Sequence, residues 1–244
     1  MIKNWYLTII LFLFCSSALL AQAPAWGGGA DQTDLSFGFS FTYISSDYKI
    51  VKQPNWRTPY YDPGVGKNIT DSLNSITSAA TPGFAIGFLT RYRLDEHVEA
   101  RFLPSLFFAD RSLTYLYATP SEDVTKSVQT TTVDFPLELK LKSDRIMDFR
   151  AYIVGGVKWT ETIGRGNSQP VLDPLQANVK NVSGFGSYEA GLGCDIYFEY
   201  FKLSPEIKLT NSFGNVLVQQ PNNPYSLPIS KLFLHTIMFT LYFE

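Results

Sequence analysis

A period of two recurs along this chain, and it restricts the possible folds more than any other feature. From Leu35 onward, Leu35, Phe37, Phe39, Phe41 and Tyr43 alternate with Ser36, Gly38, Ser40 and Thr42. Successive side chains of a strand point to opposite faces, so this segment has one apolar face and one small, polar face. A single segment of this kind would fit the edge of any β-sandwich. Its repetition with the same division of residues does not.

The second run sets Phe84, Ile86, Phe88, Thr90 and Tyr92 against Gly83, Ala85, Gly87, Leu89, Arg91 and Arg93. The third sets Val98, Ala100, Phe102, Pro104, Leu106 and Phe108 against Glu99, Arg101, Leu103 and Ser105. In the fourth, Val133, Phe135, Leu137, Leu139 and Leu141 alternate with Asp134, Glu138, Lys140 and Lys142. The fifth opposes Ala151, Ile153, Val157 and Trp159 to Arg150, Tyr152, Gly156 and Lys158, with the Gly155-Gly156 pair blurring its phase. The sixth places Tyr188, Ala190, Leu192, Cys194, Ile196 and Phe198 against Glu189, Gly191, Gly193 and Asp195. The seventh pairs Leu203, Pro205, Ile207 and Leu209 with Lys202, Ser204, Glu206 and Lys208. The last pairs His235, Ile237, Phe239, Leu241 and Phe243 with Thr236, Met238, Thr240 and Tyr242.

Most of these runs exceed the roughly 5–6 residues of an ordinary soluble strand and match the roughly 9–11 of a tilted membrane strand. Alternation alone does not say which face points inward. A soluble, lipocalin-like barrel would turn its apolar face in. Two features favour the opposite arrangement. The polar face mixes both signs of charge, as a narrow lumen filled by ion pairs requires. It also carries Gly38, Gly83, Gly87, Gly191 and Gly193, which leave room where eight strands crowd their interior. The reading is all-β: an eight-stranded antiparallel transmembrane up-and-down β-barrel over residues 35–244, seated in lipid. Pro104, Pro136 and Pro205 cannot donate to a ladder, so bulges or local ladder gaps are expected there.

The connections support this topology. Residues 44–81, 118–127, 163–183 and 211–228 form longer loops, and 94–97, 143–148 and 199–201 form tight turns. Long loops at one end and tight turns at the other are the asymmetry of an outer-membrane barrel, which places both chain ends on the periplasmic side and the long loops outside. Residues 1–21 read as a signal peptide: Lys3, an apolar stretch, then small residues up to Ala21. Residues 22–34, with Gly27-Gly28-Gly29, read as a flexible periplasmic segment.

Composition bounds the function. Aromatic residues make up 15% of the chain and charged residues only 17%, which suits strands with interfacial girdles. The formal charge of −2, or −3 once Lys3 leaves with the signal peptide, implies no nucleic-acid partner. Only Cys194 survives that cleavage, so no internal disulfide can form.

No catalytic, metal or cofactor-binding constellation stands out. The two histidines, His97 in a turn and His235 on an apolar face, lie far apart in sequence, and no nucleophile-elbow, phosphate-loop or zinc spacing is present. The inward charges form the one coherent set: Arg91, Arg93, Glu99, Arg101, Asp134, Glu138, Lys140, Lys142, Arg150, Lys158, Glu189, Asp195, Lys202, Glu206 and Lys208. Buried charges must be paired to be tolerated, so a lumen ion-pair network is expected, as structural filler or as a gated path. The loop run 56–61 offers Trp56, Tyr60 and Tyr61 as a contact surface or as membrane-interface anchors.

Residues 83–93, 152–159, 188–197 and 201–209, together with the leader ending Leu19-Leu20-Ala21-Gln22, resemble the PorT family of outer-membrane barrels from Bacteroidota. The final Leu241-Tyr242-Phe243-Glu244 is similar to the aromatic end by which barrels are recognised for assembly, displaced one place by Glu244. The resemblance implies a non-enzymatic accessory component of type IX protein secretion, with outer-membrane lipid and other envelope or secretion proteins as partners. It supplies no catalytic residues. The alternatives are a general structural or small-solute barrel and a membrane-embedded lipid-modifying enzyme using His235.

Overall fold

The computed structural model describes residues 33–163 and 173–244, with the side chains of 129 and 130 left aside. The signal-peptide region and nearly all of the 22–34 segment lie outside the described residues, as does part of the 163–183 loop.

The strands in chain order are β1 (Leu35–Lys52), β2 (Tyr61–Asp62), β3 (Lys67–Asn68), β4 (Leu73–Thr77), β5 (Thr81–Arg93), β6 (Val98–Phe102), β7 (Ser105–Tyr117), β8 (Val124–Lys142), β9 (Phe149–Ile163), β10 (Lys180–Asn181), β11 (Gly184–Tyr197), β12 (Lys202–Ser212), β13 (Leu217–Val218) and β14 (Ile229–Phe243). β6 and β7 are one stave, because β5 and β8 each pair with both. Eight antiparallel staves then form a ring: β1 pairs with β5 on one side and β14 on the other, with Phe39 opposite both Phe88 and Phe243. From Leu35 to Ser46 closure leaves no barrel edge, the liability of any open sheet. Beyond it, among the described residues, β4 pairs with β7 alone and the end of β1 with β14 alone. Among the described residues no helix is long and apolar enough to cross a membrane.

The prolines act as the sequence predicts, through ladder gaps rather than bulges. Pairing between the third and fourth staves runs Phe102 opposite Leu137, then Ser105 opposite Asp134, without a change of register across Leu103-Pro104. Between β11 and β12, Gly193 opposes Glu206 and Ile196 opposes Leu203, with the pairs at Pro205 and Ser204 missing. The Gly155-Gly156 pair does not disturb the phase of β9, which pairs continuously with β11 on one side and β8 on the other.

The structure decides which face is inside. Phe37, Phe88, Ile153 and Leu192 stand on the outer surface at 68, 73, 59 and 63% exposure, while Arg101, Lys140 and Asp195 are wholly buried. An outward apolar band is the arrangement that lipid stabilises and water does not. Aromatic rings line the rim beside the tight turns, where Phe39 stacks on Phe243 at 5.0 Å and Phe198 on Phe201 at 4.7 Å.

The strands run further than the alternation suggests. The 18 residues of β1 give roughly 60 Å of strand, or roughly 45 Å along a barrel axis at the usual tilt, against an apolar band of about 25 Å. Beyond that band the pattern inverts. On β1 the outward residues change from Phe39, Phe41 and Tyr43 to Ser45, Asp47 and Lys49, and the inward ones from Ser40 and Thr42 to Ile44 and Tyr48. The interior at the long-loop end is accordingly an apolar core, with Tyr48, Leu113, Tyr115, Tyr225, Leu232 and Leu234 among its members. The barrel has two tiers: a membrane tier with a charged lumen and a second tier packed like a soluble protein.

Candidate functional site

Inward charges on neighbouring staves meet because the register places them at the same height. Glu99 opposes both Arg93 and Lys140, and Arg101 opposes both Arg91 and Glu138. At the turn end of the lumen, the Arg91 guanidinium reaches Glu99 at 2.9 Å and Glu244 at 3.0 Å. Lys202 reaches Glu244 at 2.8 Å, and Lys142 also pairs with Glu99. One layer further in, Lys140 pairs with Asp195 at 2.7 Å, and the Ser204 hydroxyl donates to the same carboxylate at 2.6 Å.

The centre is a knot of two cations and three carboxylates. Arg101 pairs with Glu206 at 2.9 Å and lies 3.8 Å from Glu138. Lys208 pairs with Glu138 and lies 3.4 Å from Glu206 and 3.6 Å from Glu189. Two rings flank the Arg101 guanidinium, Tyr152 at 5.1 Å and Tyr242 at 5.0 Å. Among the described residues the Nε and Nη2 groups of Arg101 have no hydrogen-bond partner, and the two rings lie within cation–π range of the guanidinium. The Tyr242 hydroxyl donates to Glu206 at 3.0 Å, and Lys140 lies 3.8 Å over the Tyr152 ring. Nearer the apolar tier, Lys158 pairs with Asp134 at 2.7 Å. A void of about 20 Å³ beside Lys158, Glu189 and Lys208 has room for about one water molecule.

Among the described residues the lumen pairs thirteen of the predicted charges through the contacts above, and Arg93 and Arg150 lie nearer the turn end. Arg93 is a correction: it sits at the rim, partly exposed, and pairs with Asp34 at 3.0 Å. It has the inward phase but lies at the strand's last residue, where the barrel opens to water. Arg150 is buried beside the turn and donates to the Ser143 carbonyl at 2.6 Å. Two inward charges lie outside the set expected from sequence: Glu244, which continues the inward phase of Thr240 and Tyr242, and Arg111, which continues that of the third run beyond Phe108.

Trp56, Tyr60 and Tyr61 come together at the other end of the barrel. They line a cavity of about 480 Å³ between residues 53–63 and 221–228. His97 meets Asp144 at 2.9 Å between two tight turns, and His235 meets Asn211 at 2.8 Å on the outer face. Among the described residues no cluster of three histidine, cysteine or carboxylate side chains is arranged to hold a metal ion.

A closed antiparallel ring with apolar residues outside and paired charges inside defines an integral membrane β-barrel. The chain belongs to the family described as outer membrane protein beta-barrel domain, whose profile matches residues 30–218, and the outer membrane is its location. Solved structures similar to it include the outer membrane protein OprG from Pseudomonas aeruginosa, at 12% identity and TM-score 0.46, covering 86% of this chain and 93% of that one. Neisserial surface protein A is similar at 9% identity and TM-score 0.43, covering 86% and 98%. Outer membrane protein AlkL is similar at 15% identity and TM-score 0.41, covering 91% and 92%. No curated protein sequence matches the chain.

Proposed function

We propose that this barrel is a non-enzymatic accessory component of type IX protein secretion, acting through contacts with other envelope proteins and not as a conduit. In this reading residues 1–21 direct export and are removed, both termini of the barrel face the periplasm, and the long loops face outward. The PorT-like stretches at 83–93, 152–159, 188–197 and 201–209 support the secretion role.

The observation that carries the contact mechanism is the filled lumen. Arg101 meets Glu206 from the opposite wall, Lys140 meets Asp195 across the intervening β9, and the apolar tier closes the far end. Opening a path would separate several buried ion pairs, at about 3–5 kcal/mol for each partner left alone. A small-solute channel does not fit such an interior. The test is a deletion strain: type IX cargo should accumulate inside the cell, and unchanged secretion would overturn the role. Purified barrel in planar bilayers should show no steady conductance, and open-channel currents would instead support the small-solute reading.

A further inference from the structure

We propose that the loop-end cavity is a binding site for a neutral oligosaccharide. At about 480 Å³ it lies within the usual range for small-molecule sites, about 300–1,000 Å³. Among the described residues no charged side chain belongs to its lining, and the nearest cations, Lys52 and Arg57, are turned onto the Trp56 ring. Aromatic surface comes from Trp56, Tyr60 and Tyr61, and amides come from Gln53, Asn55 and Asn222.

The walls are set before any ligand arrives. The Gln53 amide N–H donates to the Pro228 carbonyl at 2.9 Å and ties the two loops together. The Tyr60 N–H donates to Thr70 Oγ1 at 2.9 Å, and Asn223, behind the second wall, donates to the Asn178 carbonyl at 2.9 Å. Prolines from both loops, Pro59 and Pro224 among them, fix φ in the lining backbone. Lys52 lies 4.0 Å over the Trp56 ring and Arg57 5.0 Å from it, which holds the indole in place. Such preorganisation lowers the ordering cost of binding.

The lining supplies the side-chain amides of Gln53, Asn55 and Asn222 and the phenols of Tyr60 and Tyr61, with Asn55, Tyr61 and Asn222 exposed. Burial, aided by the nearby Asp62 carboxylate, pushes the Tyr60 phenol above its ordinary pKa, so it remains a donor at neutral pH. Amides and phenols both donate and accept. An acyl chain would desolvate them without a partner, which costs free energy. A polyproline segment offers acceptors alone and would leave the amide oxygens unpaired. A sugar ring meets both needs, with hydroxyls that donate and accept and C–H faces that pack on aromatic rings.

The test uses the full-length refolded chain in a zwitterionic detergent, titrated calorimetrically with maltohexaose, laminarihexaose, mannohexaose and chitohexaose. Decaproline and a phosphorylated lipopolysaccharide core oligosaccharide form the comparison arms. At least one neutral hexasaccharide should bind, and Tyr61→Ala and Asn222→Ala, both at exposed positions, should each weaken it about tenfold. The gel mobility shift of the folded barrel should stay unchanged in both variants. Tighter binding of the core oligosaccharide than of every neutral sugar would overturn the neutral assignment. Binding of decaproline alone, of no sugar, or binding by both variants as tight as by the unchanged chain would overturn the site.

Discussion

Tyr152 lies across its cross-strand partner Gly193, so that a β-carbon at Gly193 would fall 2.5 Å from the phenol oxygen and 2.6 Å from the Pro205 carbonyl. The same ring flanks Arg101 and Lys140. Gly193 thus holds open the space in which the central cations find an aromatic face. Gly193→Ala should destabilise the barrel by about 1–3 kcal/mol, the usual cost of overpacking. Urea unfolding in liposomes measures this, and adding Tyr152→Ala should return part of the loss.

Arg101 shares the central carboxylates Glu206 and Glu138 with Lys208. Arg101→Met leaves Glu206 without its 2.9 Å partner and should cost about 3–5 kcal/mol. Arg101→Met with Glu206→Gln should be more stable than Arg101→Met alone. A double-mutant cycle showing no coupling would remove the network from the account of stability.

The inversion of pattern on β1 marks where lipid ends. Phe41 and Ser45 share the outward face, on either side of the change. Phe41→Arg, on the lipid side of the change, should cost up to about 2–4 kcal/mol, and Ser45→Arg, beyond it, about 0–1 kcal/mol. Leu113 faces the second-tier core and is fully buried, so Leu113→Ala should cost about 2–5 kcal/mol. Equal costs at positions 41 and 45 would refute the two-tier reading.

Met147 adopts φ = 55° in the turn joining β8 and β9, a left-handed conformation that favours glycine. Its side chain is 88% exposed, so nothing is lost by removing it. Met147→Gly should stabilise the barrel by about 1 kcal/mol, seen as a higher urea midpoint.

Asp71 ties the first long loop to the turn after β7. Its carboxylate accepts from the Ser72 N–H at 2.7 Å and the Thr119 hydroxyl at 2.8 Å. These bonds, with Ser72 the larger contributor, hold its pKa below the ordinary carboxylate value. A depressed pKa makes the stabilisation complete above the unfolded-state value and lost as pH falls through the folded-state value. The protection factor of the Ser72 amide hydrogen, its rate corrected for intrinsic exchange, should therefore be constant at neutral pH and fall only in acid. Asp71→Asn should remove that pH dependence.

Much of the membrane tier was legible because its rule is local. Leu137, Leu139 and Leu141 against Glu138, Lys140 and Lys142 announce a two-faced strand with no knowledge of neighbours. The second tier was not legible for the same reason. Where β1 passes from Tyr43 to Ile44, two apolar residues stand side by side, which reads as the end of a strand. Only a change of surroundings, from lipid outside to water outside, explains it. The cavity could be anticipated in its aromatic half, at Trp56, Tyr60 and Tyr61, but its other wall comes from residues more than 150 positions away in the chain.

Alternation by itself determined that this chain forms long antiparallel strands with one apolar and one charged face, because a strand's side chains alternate whatever surrounds them. It did not determine which face is inside, how far the strands rise past the membrane, or which charges meet. Those depend on closing the ring. Closure puts Glu244 beside Arg91 and Lys202, Arg101 between Tyr152 and Tyr242, and leaves Arg93 at the open rim. The physical reason is that pairing of buried charges is set by distance through the lumen, and residues close in that space are distant along the chain.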